Sequence, residues 1–302
     1  MTTTFSGGVA VITGAAGGIG LALAQEAVRR GMRGVVIADI RQDALDAAAR
    51  ALTAAGGDVL AVRTDVTKAA DVEALAAAAV ARFGRINLLI NNAGTFVAGL
   101  AWDTPTEQYD WVIDLNLKSV IHGIRAVVPR MIAQGDNCHV INVASAAGIT
   151  VYPGYASYSL TKHAVLALSE ALYQDLICEG HERIGVTVVM PGMVKSEILS
   201  PENSSPAELK LERRSRFENA TVRGIERMMA VGMEIGMTPD EVARRVFDAA
   251  AAGDLYVLPN HDSERDQSVG KMIGVGRATG ANPYPLILER IMASMARADQ
   301  QS

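Results

Sequence analysis

The sequence is poor in the features that mark disulfide scaffolds, zinc sites, membrane spans and nucleic-acid binders. Its two cysteines, Cys138 and Cys178, have no short CxxC spacing, and its five histidines form no zinc-like cluster. Neither a disulfide framework nor a bound metal is expected, and both cysteines read as buried thiols in a reducing compartment. An excess of positive charge is missing too: 28 Lys and Arg stand against 33 Asp and Glu, a net charge of −5, with no long run of either sign. General nucleic-acid binders and proteins of anionic membrane surfaces are basic, so neither nucleic acid nor membrane is an expected partner. The apolar stretch from Val9 to Ala24 is broken by Gly14, Gly17, Gly18 and Gly20, short of the ~18 uninterrupted apolar residues of a membrane helix. The opening Met1 to Ser6 lacks the basic region of a signal peptide, which leads to the expectation of a cytoplasmic protein.

What is present is the composition of a globular chain: 302 residues, 49% hydrophobic and 20% charged, which excludes disorder and collagen. Short β-branched runs at Val9–Ile12, Val35–Ala38, Val59–Arg63 and Leu88–Ile90 alternate with alanine-rich helical stretches at Leu21–Arg30, Arg41–Ala55 and Ala69–Phe83. Strands separated by helix-length connections call for a parallel sheet with helices on its faces. The pattern continues with a helix over Thr106–Ile132, a strand at His139–Val143, a helix over Tyr158–Gly180, and strands at Gly185–Val189 and Leu255–Leu258. The expectation is one doubly wound, Rossmann-type α/β domain spanning 1–302, with a core at about 8–259 and irregular additions at 193–237 and 260–302.

The first strand-to-helix turn reads Thr13-Gly14-Ala15-Ala16-Gly17-Gly18-Ile19-Gly20. Glycines there permit a tight turn and let backbone N–H groups approach a pyrophosphate at the positive end of a helix dipole. Asp39 closes the second strand nineteen residues beyond Gly20 and is followed by Ile40 and Arg41. An acid at that offset accepts from an adenosine ribose 2′-hydroxyl and repels a 2′-phosphate, so NAD is preferred over NADP, with Arg41 the residue able to offset the repulsion. Asp39 also reads as a helix N-cap. Asp65-Val66, Asn92-Ala93-Gly94 and Pro191-Gly192 fall at further strand ends, where open α/β sheets place ligands.

Ser145 lies just past a strand, thirteen residues before Tyr158, and Lys162 stands four residues after that tyrosine, one helical turn away on the same face. An ammonium beside a phenol stabilises the phenolate and draws its pKa down from about 10 toward the range of a general base.

With these residues in order, the sequence resembles the short-chain dehydrogenases/reductases, single-domain NAD(P)-dependent oxidoreductases. The resemblance covers roughly residues 8 to 196 and rests on TGAAGGIG at Thr13–Gly20, NNAG at Asn91–Gly94, Asn116, Ser145, Tyr158-Ser-Leu-Thr-Lys162 and Pro191-Gly-Met-Val-Lys-Ser196. It implies that Tyr158 exchanges the alcohol proton, Lys162 lowers the tyrosine pKa and holds the nicotinamide ribose, Ser145 bonds the substrate oxygen, and Asn116 holds a relay water. It further implies Asp65 near adenine, Asn92, Ala93 and Gly94 on the adenosine side, and Val194 with Ser196 at the carboxamide, serine replacing the commoner threonine. The family's enoyl-reductase motif Tyr-x-x-Met-x-x-x-Lys and the epimerase branch's TGxxGxxG are absent. The resemblance implies a homodimer or homotetramer built on the two long helices, a secondary alcohol or ketone as substrate, and, as alternatives, an NADP-dependent carbonyl reductase or a non-catalytic nucleotide-binding regulator. Within 193–237, Met229, Met233 and Met237 recur every four residues beside Ile225. On a helix they form one flexible apolar face, either packed on the protein's own core or lining a pocket for a bulky apolar alcohol that the 260–302 tail covers.

Overall fold

Seven short, mostly β-branched segments pair in parallel into one sheet. They are β1 (Val9–Thr13), β2 (Gly34–Asp39), β3 (Val59–Arg63), β4 (Leu88–Asn91), β5 (Cys138–Val143), β6 (Ile184–Val189) and β7 (Tyr256–Val257), in the order β3-β2-β1-β4-β5-β6-β7. The structure, a computed structural model, describes residues 5–196, 198, 219–260 and 264–300. Helices α1 (Gly18–Arg29), α2 (Gln42–Ala54) and α8 (Pro239–Ala252) cover one face of the sheet. Helices α3 (Ala69–Phe83), α4 (Thr106–Ile113), α5 (Ser119–Gln134) and α6 (Ala156–Cys178) cover the other. Both faces being covered, the central strands are buried along their whole length, which is why they read as continuous apolar runs. The result is a doubly wound, Rossmann-type sheet whose order reverses between β1 and β4.

Four features differ from the sequence reading. The expected helix over Thr106–Ile132 is α4 and α5 joined by a π-helical turn, Asp114–Lys118, which carries Asn116. The chain beyond 260 is not irregular but forms α9 (Glu264–Thr279) and α10 (Tyr284–Gln300). In the expected insertion, α7 (Ala220–Glu234) carries Met229 and Met233, while Met237 lies past its end and bridges to Val194; residues 199–218 fall outside the described ones. Cys138 is buried as expected, but Cys178, at the end of α6, is exposed.

The sheet also buries a titratable group. His139 Nε2 lies 2.8 Å from Thr187 Oγ1, and that hydroxyl donates to Asp254 O at 2.7 Å, so Nε2 carries the proton. Nδ1 has no partner among the described residues. Protonating it would place a charge in an apolar interior, and burial accordingly pushes the pKa down to about 4 from 6.5. Between those values the unfolded chain binds more protons than the folded one, so stability rises with pH across the window. Urea unfolding should show about 3 kcal/mol lost between pH 6.5 and 4 from this group. His139→Gln should lose less over the same interval, and equal losses would discard the assignment.

Candidate active site

The turn after β1 is built from glycine geometry. Gly14 and Gly18 have φ of 64° and 53°, the left-handed region. A Cβ on Gly20 would lie 2.1 Å from Gly14 O, so only glycine lets α1 start this close to the turn. The end of β4 locks the turn in place: Asn92 Nδ2 donates to Thr13 O at 2.9 Å and Gly14 O at 3.1 Å, and Thr13 Oγ1 accepts from the N–H groups of Asn92 and Ala93. The Asn92 side chain therefore shapes the turn. Asp39, 8% exposed at the end of β2, accepts from Ala16 N at 3.2 Å and from Arg41 N at 3.0 Å. It is not the N-cap of α2, which is Arg41. Asp65 sits at the end of β3, where burial raises its pKa but hydrogen bonds from Thr67 and the nearby Lys68 outweigh that and hold it below the usual range.

The central group lies where β5 meets α6. Ser145 follows β5 and accepts from Ala147 N at 3.1 Å. It also acts on the Tyr158 phenol, favouring its charged form. Lys162 Nζ donates to Val143 O at 2.9 Å and lies 5.7 Å from the Tyr158 ring centre. Asn116 is fully buried behind this group: it accepts from Thr95 N at 2.8 Å and donates to Thr95 O and Thr161 Oγ1. The extra residue of the π turn aims it inward, and a Cβ on Gly94 would fall 3.1 Å from its Oδ1 and 3.4 Å from Lys162 Nζ. The expected lowering of the Tyr158 pKa is not what the structure shows. Burial pushes the phenol up, opposed by Ser145, and burial pushes Lys162 down to about 8, because both charged forms are taken out of water.

A cavity of about 1130 Å³ at the carboxyl ends of the strands connects these parts. Gly14, Gly18, Ile19, Gly20, Asp39, Ile40, Asp65, Val66, Asn92, Ala93 and Gly94 line one end. Ser145, Tyr158, Lys162, Pro191, Gly192, Val194 and Ser196 line the rest of the wall, and Asn116 alone of the expected site residues lies behind it. Lining residues that sequence reasoning missed include Phe96, Tyr152, Tyr155, Met193 and Asn260, together with Val269, Ile287 and Ile291 of α9 and α10. Arg290 is at that end too, 3.4 Å from Ser268 Oγ. Met229 and Met233 are both buried against the protein and part of the wall, so the two readings of the methionine face meet in one surface. Of the missed residues, the tyrosines alone carried a signal, falling three and six residues before Tyr158.

The family profile described as short chain dehydrogenase matches residues 8–207. The chain belongs to the short-chain dehydrogenase family. Among short-chain dehydrogenase relatives, it is 34% identical over 254 residues to the CLA biosynthesis dehydrogenase/reductase of Lactiplantibacillus plantarum, covering 84% of this chain and 88% of that one. It is 34% identical over 263 residues to the 1-deoxy-11-beta-hydroxypentalenate dehydrogenase of Streptomyces exfoliatus, covering 85% and 86%. The crystal structure of a short-chain dehydrogenase/reductase from Burkholderia phymatum in complex with NAD superposes with a TM-score of 0.87 at 34% identity, covering 93% of this chain and 98% of that one. No helix among the described residues is long and apolar enough to cross a membrane.

Proposed function

We propose that this short-chain dehydrogenase interconverts a bulky, apolar secondary alcohol and its ketone, with NAD as cofactor. The observation that carries the reading is the convergence of Ser145, Tyr158 and Lys162 on one wall of a cavity that runs from the glycine turn to an apolar end. The residues fit the dinucleotide: the glycine turn would offer backbone N–H groups to the diphosphate, Asp39 a carboxylate to the adenosine ribose, and Val194 and Ser196, further along the same cavity, would hold the carboxamide. NAD, when bound, accepts the hydride in alcohol oxidation. In that direction Ser145 holds the substrate oxygen, Tyr158 takes its proton, and Lys162 supplies positive charge beside the phenol and holds the nicotinamide ribose. Asn116, anchored on Thr95, would hold the relay water between Lys162 and solvent. The apolar wall of Phe96, Tyr155, Met229, Met233, Ile287 and Ile291 excludes water from a bulky substrate body. The enzyme works as a homodimer or homotetramer through α5 and α6, whose Ile132, Leu160, Tyr173 and Ile177 are exposed.

The test is absorbance at 340 nm over a series of secondary alcohols with NAD and NADP in parallel. Large apolar alcohols should be the better substrates, and superior turnover of small polyols or free sugars would refute the substrate class. NAD should exceed NADP in kcat/KM by about tenfold or more, the scale of one charge-assisted hydrogen bond. Arg41 Nε is 3.3 Å from Asp39 Oδ1, and its guanidinium lies over the turn, 3.6 Å from where a Gly17 Cβ would be. Asp39→Ala removes that carboxylate, so it should narrow the ratio by weakening NAD and removing the charge that repels a 2′-phosphate. Better activity of the unmodified enzyme with NADP would overturn the cofactor assignment.

A further inference from the structure

The chain from Pro191 to Val194 leaves β6 directly beside Ser145, and its path is held on both sides. On the Ser145 side, Pro191 O accepts from Ala146 N at 2.8 Å and from Ser145 Oγ at 3.5 Å. On the other side stands Asn260, whose Oδ1 accepts from Gly192 N at 3.0 Å while its Nδ2 donates to Met193 O at 2.8 Å. A backbone N–H can only donate and a carbonyl can only accept, so these two partners fix which way the Asn260 amide faces. The contact is close as well: a Cβ on Gly192 would lie 3.3 Å from Asn260 Cβ. Asn260 is itself anchored, because the carbonyl of Pro259 accepts from Arg245 Nη1 at 2.6 Å, and Arg245 is tied to Glu241 within α8. Asn260 lines the cavity, and α9 begins only four residues further on.

We infer that Asn260 is a positioning residue for the nicotinamide end of the cofactor site, holding the Pro191–Val194 segment against Ser145 from the start of the C-terminal extension. This rests on the reading of the cavity as a dinucleotide site. An amide matches both an N–H and a carbonyl with one short side chain. Alanine supplies neither bond. Aspartate, nearly the same shape, keeps the acceptor for Gly192 N but turns an oxygen toward Met193 O. In the alanine variant the Met193 carbonyl retains a second donor, Met237 N at 3.1 Å, so the loss falls on the Pro191–Gly192 end; in the aspartate variant it falls on Met193, where two oxygens now face each other and push the segment away.

Calorimetric titration of the full chain with NADH and with ADP-ribose separates positioning from general damage, because ADP-ribose carries the adenosine, both phosphates and the second ribose but no nicotinamide. Asn260→Ala and Asn260→Asp should each weaken NADH about tenfold, the scale of the hydrogen bonds removed, and leave ADP-ribose within about twofold. Should Asn260→Ala fail to fold, the near-isosteric Asn260→Asp decides alone. Equal weakening of both ligands would make Asn260 merely structural and overturn the inference, as would unchanged NADH affinity. An unmodified chain that binds neither ligand would instead remove the dinucleotide reading, and the inference with it.

Discussion

Tyr158→Phe should lower kcat for alcohol oxidation by about a thousandfold or more, the scale of a lost acid–base group, while NADH affinity stays within about twofold. The substitution deletes one hydroxyl. The ring that remains is held edge-on by Phe96, with centres 5.1 Å apart, and by Tyr155 at 6.3 Å, so the cavity wall keeps its shape. Two other tyrosines line the same cavity, and Tyr155 is as buried as Tyr158. Burial pushes the Tyr155 phenol far up, and neither Tyr152 nor Tyr158 supplies a positive charge to bring it down. Tyr158 has the Ser145 hydroxyl and the Lys162 ammonium at hand. Tyr155→Phe is therefore the control: it should leave the chemical step largely intact, with any change confined to KM for bulky alcohols. An active Tyr158→Phe enzyme would sink the assignment of the proton-exchanging group.

Much of this arrangement was legible because its determinants are local. The glycine turn must be glycine for steric reasons contained within eight residues, and the Tyr158–Lys162 pairing follows from one helical turn. What escaped depends on closure of the chain in space or on weak local patterns. Asn260 lies 68 residues from Gly192, and only the folded chain brings its amide to that backbone. The π turn inserts a residue without disturbing the apolar pattern, so α4 and α5 read as one helix. Helix α9 carries Gly270, Gly274 and Gly276, poor helix formers, and its buried residues Val269 and Ile273 pack on Ile287 and Ile291 of α10 rather than on the sheet. Helix α8 was not picked out singly, although Thr238 caps it by accepting from Glu241 N, Pro239 opens it and Gly253 closes it in the left-handed conformation. The direction of the Tyr158 pKa shift is not legible for a related reason: spacing shows that the two groups meet, but not that both are buried.

Lys162→Met should damage the enzyme in two separable ways, because its ammonium is placed to act on both proton transfer and cofactor binding. With burial lowering its pKa to about 8, Lys162 is still mostly protonated at pH 7. We propose that this cation, 5.7 Å from the Tyr158 ring centre, joins Ser145 in opposing the upward push of burial on the phenol. Oxidation of the alcohol needs the deprotonated base, so kcat/KM in that direction rises with pH, and ketone reduction falls. Since the phenol and the ammonium are close enough to couple, the limb belongs to the pair rather than to either group. Removing the cation leaves burial unopposed except by Ser145, so the limb for oxidation should move further upward than in the unmodified enzyme. At pH 8 the loss in kcat should approach that of Tyr158→Phe, about a thousandfold. NADH affinity, untouched by Tyr158→Phe, should also fall by about tenfold, the scale of one charge-assisted hydrogen bond to the ribose. Full pH profiles at saturating NAD separate the two effects. If saturating cofactor restored kcat with an unshifted limb, Lys162 would be a cofactor anchor only, and the control of the Tyr158 proton would have to be sought in Ser145.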